Sequence, residues 1–202
     1  MFKEICFEDW STLLEWRNDK QVRENSINTE LIDEQSHKEY ITSLVSRTDR
    51  TQYLYIVNGK EVGYIREDLL DEGKELSYLI APNEQGKGYG KSMMKDFLLG
   101  RQGNFILHIK GSNTPSLKMA TINGFEEVDS HDGYIKYKLH NMTDLEIIDA
   151  VEAARKGNNT NWMDLVRLAF EVAPEKARPI FAKINGGDGE ISKLLDKLAK
   201  NG

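Results

Sequence analysis

The 202-residue chain is 39% hydrophobic and 30% charged, the balance of a soluble globular protein with one mid-sized domain and at most a small appendage. Its formal net charge of −6, with no run of Lys and Arg, disfavours broad electrostatic binding to nucleic acid or anionic lipid. The single cysteine, Cys6, allows no internal disulfide, and neither a signal-peptide stretch nor a run of ~18 apolar residues is present, so a cytoplasmic location is expected.

Phe2 to Phe7 alternates weakly and predicts a first strand. Asp9 is placed to cap a helix carrying Trp10, Leu13, Leu14 and Arg17, and a polar stretch of loop and short helix follows from Asn18 to Ile32. Asp33 starts a second helix whose apolar face is Tyr40, Ile41, Leu44 and Val45. A β-rich segment comes next. Tyr53 to Val57 and Lys60 to Arg66 are strands joined at Asn58-Gly59, a dipeptide suited to a tight hairpin turn. Glu75 to Ala81 is a further strand, leading through a Gly-rich turn into a helix with Met93, Met94, Phe97 and Leu98. Phe105 to Ile109 is a strand, Pro115 to Ile122 a short helix, and Phe125 to Leu139 a hairpin turning at His131-Asp132-Gly133.

From Asp144 onward there are four helical patterns and no strand, broken at Gly157-Asn158-Asn159 and at Gly186-Gly187. Their apolar sets are Leu145, Ile148 and Val151; Leu165, Leu168 and Val172; Ala177, Ile180, Phe181 and Ile184 after Pro174; and Ile191, Leu194, Leu195 and Leu198 after Asp188. The expected division is therefore a mixed α+β domain over residues 1–140 and a small helical extension over 141–202. An extension this short rarely builds a sufficient core by itself, so it is expected to pack on the domain, a second copy or a partner enzyme.

The run Leu76-Ser-Tyr-Leu-Ile-Ala-Pro-Asn-Glu-Gln85-Gly86-Lys87-Gly88-Tyr89-Gly90-Lys91-Ser92 feeds a strand into a Gly-rich turn and then a helix. Free N–H groups and the positive dipole end at a helix start suit phosphate oxygens, and glycine lets the backbone approach them. The P-loop pattern fails because Gln85 stands at its first glycine position, and the dinucleotide fingerprint fails because the third glycine comes one residue early. Gln85, Gly88 and Gly90 instead fill the pattern Gln/Arg-x-x-Gly-x-Gly/Ala, which resembles the pyrophosphate motif of the GNAT acetyltransferase superfamily. Asn113-Thr-Pro-Ser116, with Gly124-Phe125 after seven more residues, resembles that superfamily's late motif. The helix and strand between the two motifs fit as well, and the resemblance covers about residues 1–140.

This resemblance implies a GNAT fold, a central mixed and mostly antiparallel sheet flanked by helices. It implies acetyl-CoA as cosubstrate and direct attack of an amine on the thioester, with no acyl-enzyme and no metal. The cofactor would lie on Gln85, Gly86, Lys87, Gly88, Tyr89, Gly90 and Lys91, with Asn113 and Ser116 facing its arm. Backbone N–H groups beside a bulge at Leu79, Ile80 and Ala81 would hold the thioester oxygen, at about 3 kcal/mol per contact. Many members carry a Tyr four residues before the late Gly-Phe to protonate the leaving thiolate; here that residue is Ala120. Solvent or Ser116 can replace it, or the domain binds CoA without catalysis. His108 is a candidate base, because an unperturbed imidazole, at ~6.5, suits that role; the competing reading is a hydrogen-bonded core histidine. Glu75 and Ser77 share a strand face and can position a water.

For the acceptor, Trp16-Arg17-Asn18, Arg23, Asn25 and His37 resemble the acceptor half of GNAT proteins acting on nucleotide-linked amino sugars in nonulosonic-acid and surface-glycan pathways. Arg17 and Arg23 suit phosphates and Trp16 can stack on a base or sugar, although for Trp16 alone a core role is favoured. The Trp-Arg-Asn start is shared with protein N-terminal acetyltransferases. The helical extension also faintly resembles those of nonulosonate-pathway enzymes. The leading expectation is an amino-sugar N-acetyltransferase with a small-molecule amine as its partner. A peptide N-acetyltransferase and a non-catalytic CoA sensor are the alternatives.

Overall fold

The computed structural model describes residues 1–44, 46–156, 168–169 and 171–200. Val45, the break at Gly157-Asn158-Asn159 and the helical pattern at Leu165 lie outside them. The chain divides into two compact units, residues 1–99 with 103–141, and residues 100–102 with 142–202.

The first unit is built on a seven-stranded sheet in the order β1-β2-β3-β4-β5-β7-β6. The strands are β1 (Phe2–Glu4), β2 (Arg50–Val57), β3 (Lys60–Leu70), β4 (Gly73–Ile80), β5 (Gly103–Lys110), β6 (Glu126–His131) and β7 (Tyr134–Asn141). Every neighbouring pair is antiparallel except β4 and β5, which are parallel. Both hairpin turns were legible. Asn58 and Gly59 have φ of 51° and 77°, and Asp132 and Gly133 have 51° and 79°, the left-handed pairs that two-residue hairpins demand.

Helices cover both faces. α1 (Trp10–Asn18), α2 (Lys20–Glu24) and α3 (Glu34–Leu44) lie on one side, where Leu13, Trp16, Val22 and Ile41 pack with Leu54, Tyr64 and Leu79. α4 (Tyr89–Leu98) and α5 (Thr114–Ile122) lie on the other, where Met93, Met94 and Phe97 pack with Ile65, Phe105 and Leu107. Each such fully buried side chain contributes about 1.5–3 kcal/mol.

Two expectations at the N-terminus need correction. β1 ends at Glu4, because Phe7–Asp9 coil into a 3-10 turn. Asp9 stands at the start of α1 without capping it: its carboxylate accepts from the Cys6 N–H at 2.9 Å and from Lys3 Nζ at 2.7 Å, which anchors the preceding turn instead.

In the second unit, α6 (Asp144–Lys156) opens on a reciprocal cap. Glu146 Oε2 accepts from the Thr143 N–H at 2.7 Å, and the Glu146 N–H donates to Thr143 Oγ1 at 3.2 Å. α7 (Pro174–Lys200) runs through Gly186-Gly187 as one helix, so the expected break there is absent. Each glycine costs about 1 kcal/mol in a helix. The apolar residues Ala177, Ile184, Ile191 and Leu198 recur at intervals of seven on both sides of the pair, so the same stripe continues across it.

Candidate active site

The site begins where β4 and β5 separate. Their ladder consists of Lys74 with Phe105 and Glu75 with Ile106. Pairing of β4 with β3 continues without interruption from Gly73 to Ile80, so the expected bulge at Leu79 to Ala81 is not present. The Ala81 N–H donates to the Val62 carbonyl at 3.0 Å, on the β3 side. Peptide groups alternate along a strand, so the Leu79 N–H also faces β3 and those of Tyr78 and Ile80 face the gap.

On the α4–α5 side a cleft of about 530 Å³ opens beside this gap. Of the expected cofactor residues it is lined by Leu79, Ile80, Gln85, Gly86, Gly88, Gly90, Lys91, Asn113 and Ser116, and by Asn25 of the acceptor set. Gly86 and Gly88 adopt φ of 77° and 83°, and Gly88 is the N-cap of α4. The first intrahelical bond runs from the Ser92 N–H to the Gly88 carbonyl at 3.3 Å, so the amides of Tyr89, Gly90 and Lys91 precede it. Gln85 Nε2 donates to the Ile80 carbonyl at 3.3 Å and ties the loop to the strand end. Lys87 pairs with Glu84 at 2.9 Å, and with Lys60 it holds that carboxyl below its usual range. The Tyr89 side chain packs on the hydrophobic core. At the start of α5, Asn113 Oδ1 accepts from the Ser116 N–H at 3.2 Å. Ala120 is fully buried and brings no hydroxyl to the cleft.

The opposite face carries the expected catalytic residues. Side chains alternate along β4 and β5, which places Glu75, Ser77 and His108 on the face of α1–α3. His108 Nδ1 lies 3.0 Å from Glu75 Oε1, and Ser77 Oγ accepts from Arg66 Nη2 at 3.2 Å.

On that face lies a cavity of about 210 Å³ lined by Arg17, His37, Tyr40, Gln52, Tyr64 and Arg66, among others. His37 is buried and its Nε2 has no hydrogen-bond partner; burial, then the Arg17 charge, lowers its pKa. Arg66 Nε stands 2.8 Å from Asp68 Oδ2 as an ion pair, without hydrogen-bond alignment. The register runs from Gln52 to Arg66 to Ser77, so the cavity leads across adjacent strands toward His108. Sequence reasoning found Arg17 and His37 but missed Tyr40, Gln52, Tyr64 and Arg66, whose separation along the chain hides their proximity.

The other acceptor candidates hold the loop together. Asn18 donates to the Ile32 carbonyl and accepts from its N–H, both at 2.8 Å. Arg23 donates to the carbonyls of Asn18 (3.2 Å) and Thr29 (2.8 Å). Trp16 is buried in the core.

The family profile described as the acetyltransferase (GNAT) domain matches residues 1–126. The chain belongs to the GNAT acetyltransferase family. Solved structures share this GNAT fold. Aminoglycoside acetyltransferase AAC(6')-Ib, in complex with coenzyme A, is 17% identical, with a TM-score of 0.58 over 70% of this chain and 94% of that one. Spermidine N-acetyltransferase from Vibrio cholerae, in complex with CoA and spermine, is 12% identical, with a TM-score of 0.62 over 69% and 94%. The Campylobacter jejuni N-acetyltransferase PseH, in complex with acetyl coenzyme A, is 16% identical, with a TM-score of 0.54 over 70% and 100%. At these identities the likeness establishes the fold. No curated protein matches the chain. Among the described residues, no group of His, Cys, Asp and Glu could hold a metal, and no helix is long and apolar enough to cross a membrane.

Proposed function

We propose that this GNAT domain transfers an acetyl group from acetyl-CoA to the primary amine of a nucleotide-linked amino sugar. The observation that carries the acceptor class is the polar cavity on the α1–α3 face, with the Arg17 guanidinium and the unpartnered His37 Nε2 inside it. The Arg17 cation suits a phosphate oxygen, and the neutral imidazole's free Nε2, with Tyr40, Gln52 and Tyr64, suits hydroxyls. Its neighbours in fold include acetyltransferases of aminoglycosides and of spermidine, both carriers of primary amines.

Acetyl-CoA supplies the activated acetyl carbon, and the chain's residues bind, orient and move protons. The amides at the start of α4, with Lys91, receive the pyrophosphate. The Tyr78 and Ile80 N–H groups, facing the gap, stabilise the acyl oxygen as it gains charge, at about 3 kcal/mol each. Glu75 Oε1 accepts a hydrogen bond from the Nδ1–H of His108, which leaves Nε2 as acceptor for the amine's proton. Holding amine and thioester together supplies a further share of the rate.

The test is thiol release from acetyl-CoA against a panel of nucleotide amino sugars, aminoglycosides, polyamines and peptides. Turnover on nucleotide amino sugars, with a KM raised by Arg17→Gln, supports the proposal. Turnover on peptides alone overturns the acceptor assignment. Tight CoA binding with no turnover points to a sensor, the reading that the buried Ala120 favours.

A further inference from the structure

The cofactor cleft holds a hydroxyl that the mechanism so far leaves idle. Tyr78, on β4, sends its side chain to the α4–α5 face, where the ring packs on the core and lines the cleft. Its Oη is shielded from solvent and has no hydrogen-bond partner. Burying a hydroxyl without a partner costs about 1–3 kcal/mol, so such a group calls for an explanation. The Ser116 side chain stands beside it, close enough for its hydroxyl to draw the phenol's pKa down although strict hydrogen-bond geometry is not met, and Ser116 itself lines the cleft.

Resting on the reading of this cleft as the acetyl-CoA site, we infer that Ser116 and Tyr78 form a two-hydroxyl chain that stabilises the departing CoA thiolate, Ser116 touching the sulfur and Tyr78 acting behind it as a positioning residue. The pair takes the place of the tyrosine that Ala120 displaces. Ser116 Oγ donates to the sulfur, and Tyr78 Oη donates to Ser116 Oγ, which fixes the direction of the serine proton. The serine hydroxyl alone rotates freely and has no such preference.

Burial pushes the phenol up to about 12, well above an ordinary thiol at ~8.5. That gap decides between two roles. Tyr78 keeps its proton throughout and acts as a donor dipole, not as an acid. As the amine nitrogen bonds to the acetyl carbon, the carbon–sulfur bond breaks and its electron pair stays on sulfur. The negative sulfur is held by the hydroxyl chain and takes its proton from solvent as CoA leaves. The amine's proton departs separately, through His108 on the opposite face.

The test needs no acceptor. The probe is CoA itself, whose thiolate absorbs in the ultraviolet, titrated in complex with the full-length protein. Tyr78→Phe and Ser116→Ala are each expected to raise the pKa of the bound thiol by about 1–2 units, the value of one hydrogen bond to a charged group. The double variant is expected to match the single ones, because the two residues act as a unit. Affinity for desulfo-CoA, which lacks the sulfur, is expected to be the same in Tyr78→Phe as in wild type. An unchanged thiol pKa in Tyr78→Phe, with normal desulfo-CoA binding, overturns the inference and leaves the cofactor cleft standing. Wild-type protein that binds neither CoA nor desulfo-CoA overturns the cleft assignment instead. A free Tyr78→Phe protein that melts markedly lower than wild type also overturns it, since the phenol would then have a structural partner.

Discussion

His108 Nδ1 lies 3.0 Å from Glu75 Oε1, joining two residues 33 positions apart beside the last paired residues of β4 and β5. The pair therefore sits at the mouth of the gap through which amine and thioester meet in the proposed mechanism. If Glu75 orients the imidazole, losing either residue damages the same step.

His108→Gln is expected to lower the rate about 10²-fold or more at saturating substrates, while acetyl-CoA affinity stays the same. Glu75→Gln keeps the geometry but weakens the charge, and is expected to fall between wild type and His108→Gln. Steady-state rates and melting curves on the three proteins check this. A His108→Gln protein with near-normal rate and a lower melting temperature would show a packing residue instead.

Gly90→Val probes the phosphate loop without straining the free protein. Gly90 is not in the left-handed region, and an added Cβ meets only Ile80 Cγ1, at 3.7 Å. In the liganded cleft the branched side chain would stand between the phosphates and the amides. Losing even two charge-assisted hydrogen bonds weakens acetyl-CoA binding by about 10²-fold. Calorimetric titration of a normally folded variant measures it, and an unchanged Kd would remove the loop from the site.

His37 gives the fold a dependence on pH. Burial, followed by the Arg17 charge, holds its imidazole below the ordinary value. Below the unfolded value of ~6.5, the unfolded chain binds a proton that the folded one resists. Stability contributed by the neutral ring is thus fully present above pH ~6.5 and falls as pH drops toward the folded pKa. Melting temperature followed across that range should decline more steeply for wild type than for His37→Gln. Parallel curves would assign the decline to other groups.

Residues 1–141 are expected to bind acetyl-CoA without α6 and α7, because every residue lining the cofactor cleft belongs to the first unit. A soluble, folded truncate that fails to bind CoA in a thermal-shift assay would show that the second unit completes the site.

Much of this could be read from residue order. The hairpin at Asn58-Gly59 and the Gly-rich turn before α4 are local: their conformations follow from which residues tolerate positive φ. What stayed hidden depends on distance or on competition. Asp9 had two turns within reach and anchored the earlier one. Gly186-Gly187 looked like a stop until the apolar stripe was seen to continue in phase across it. The Leu79–Ala81 bulge, expected from resemblance, is replaced by the parting of two strands, which no short window of sequence reports. Tyr78 is not legible as a site residue, because a tyrosine facing the core from a strand is ordinary and the surroundings of its hydroxyl are set by distant residues.

The lone parallel junction has a further consequence for how the molecule comes together. β2, β3 and β4 are joined by short turns, and β6 and β7 share a hairpin, so these parts of the sheet assemble from nearby chain. Joining β4 to β5 requires α4 to cross over between them, and it yields only two paired positions. The seam thus has the fewest paired positions of any junction in the sheet. Bound across it, acetyl-CoA would act as a clasp for the sheet as well as a reagent, and the protein should unfold at a higher temperature in its presence.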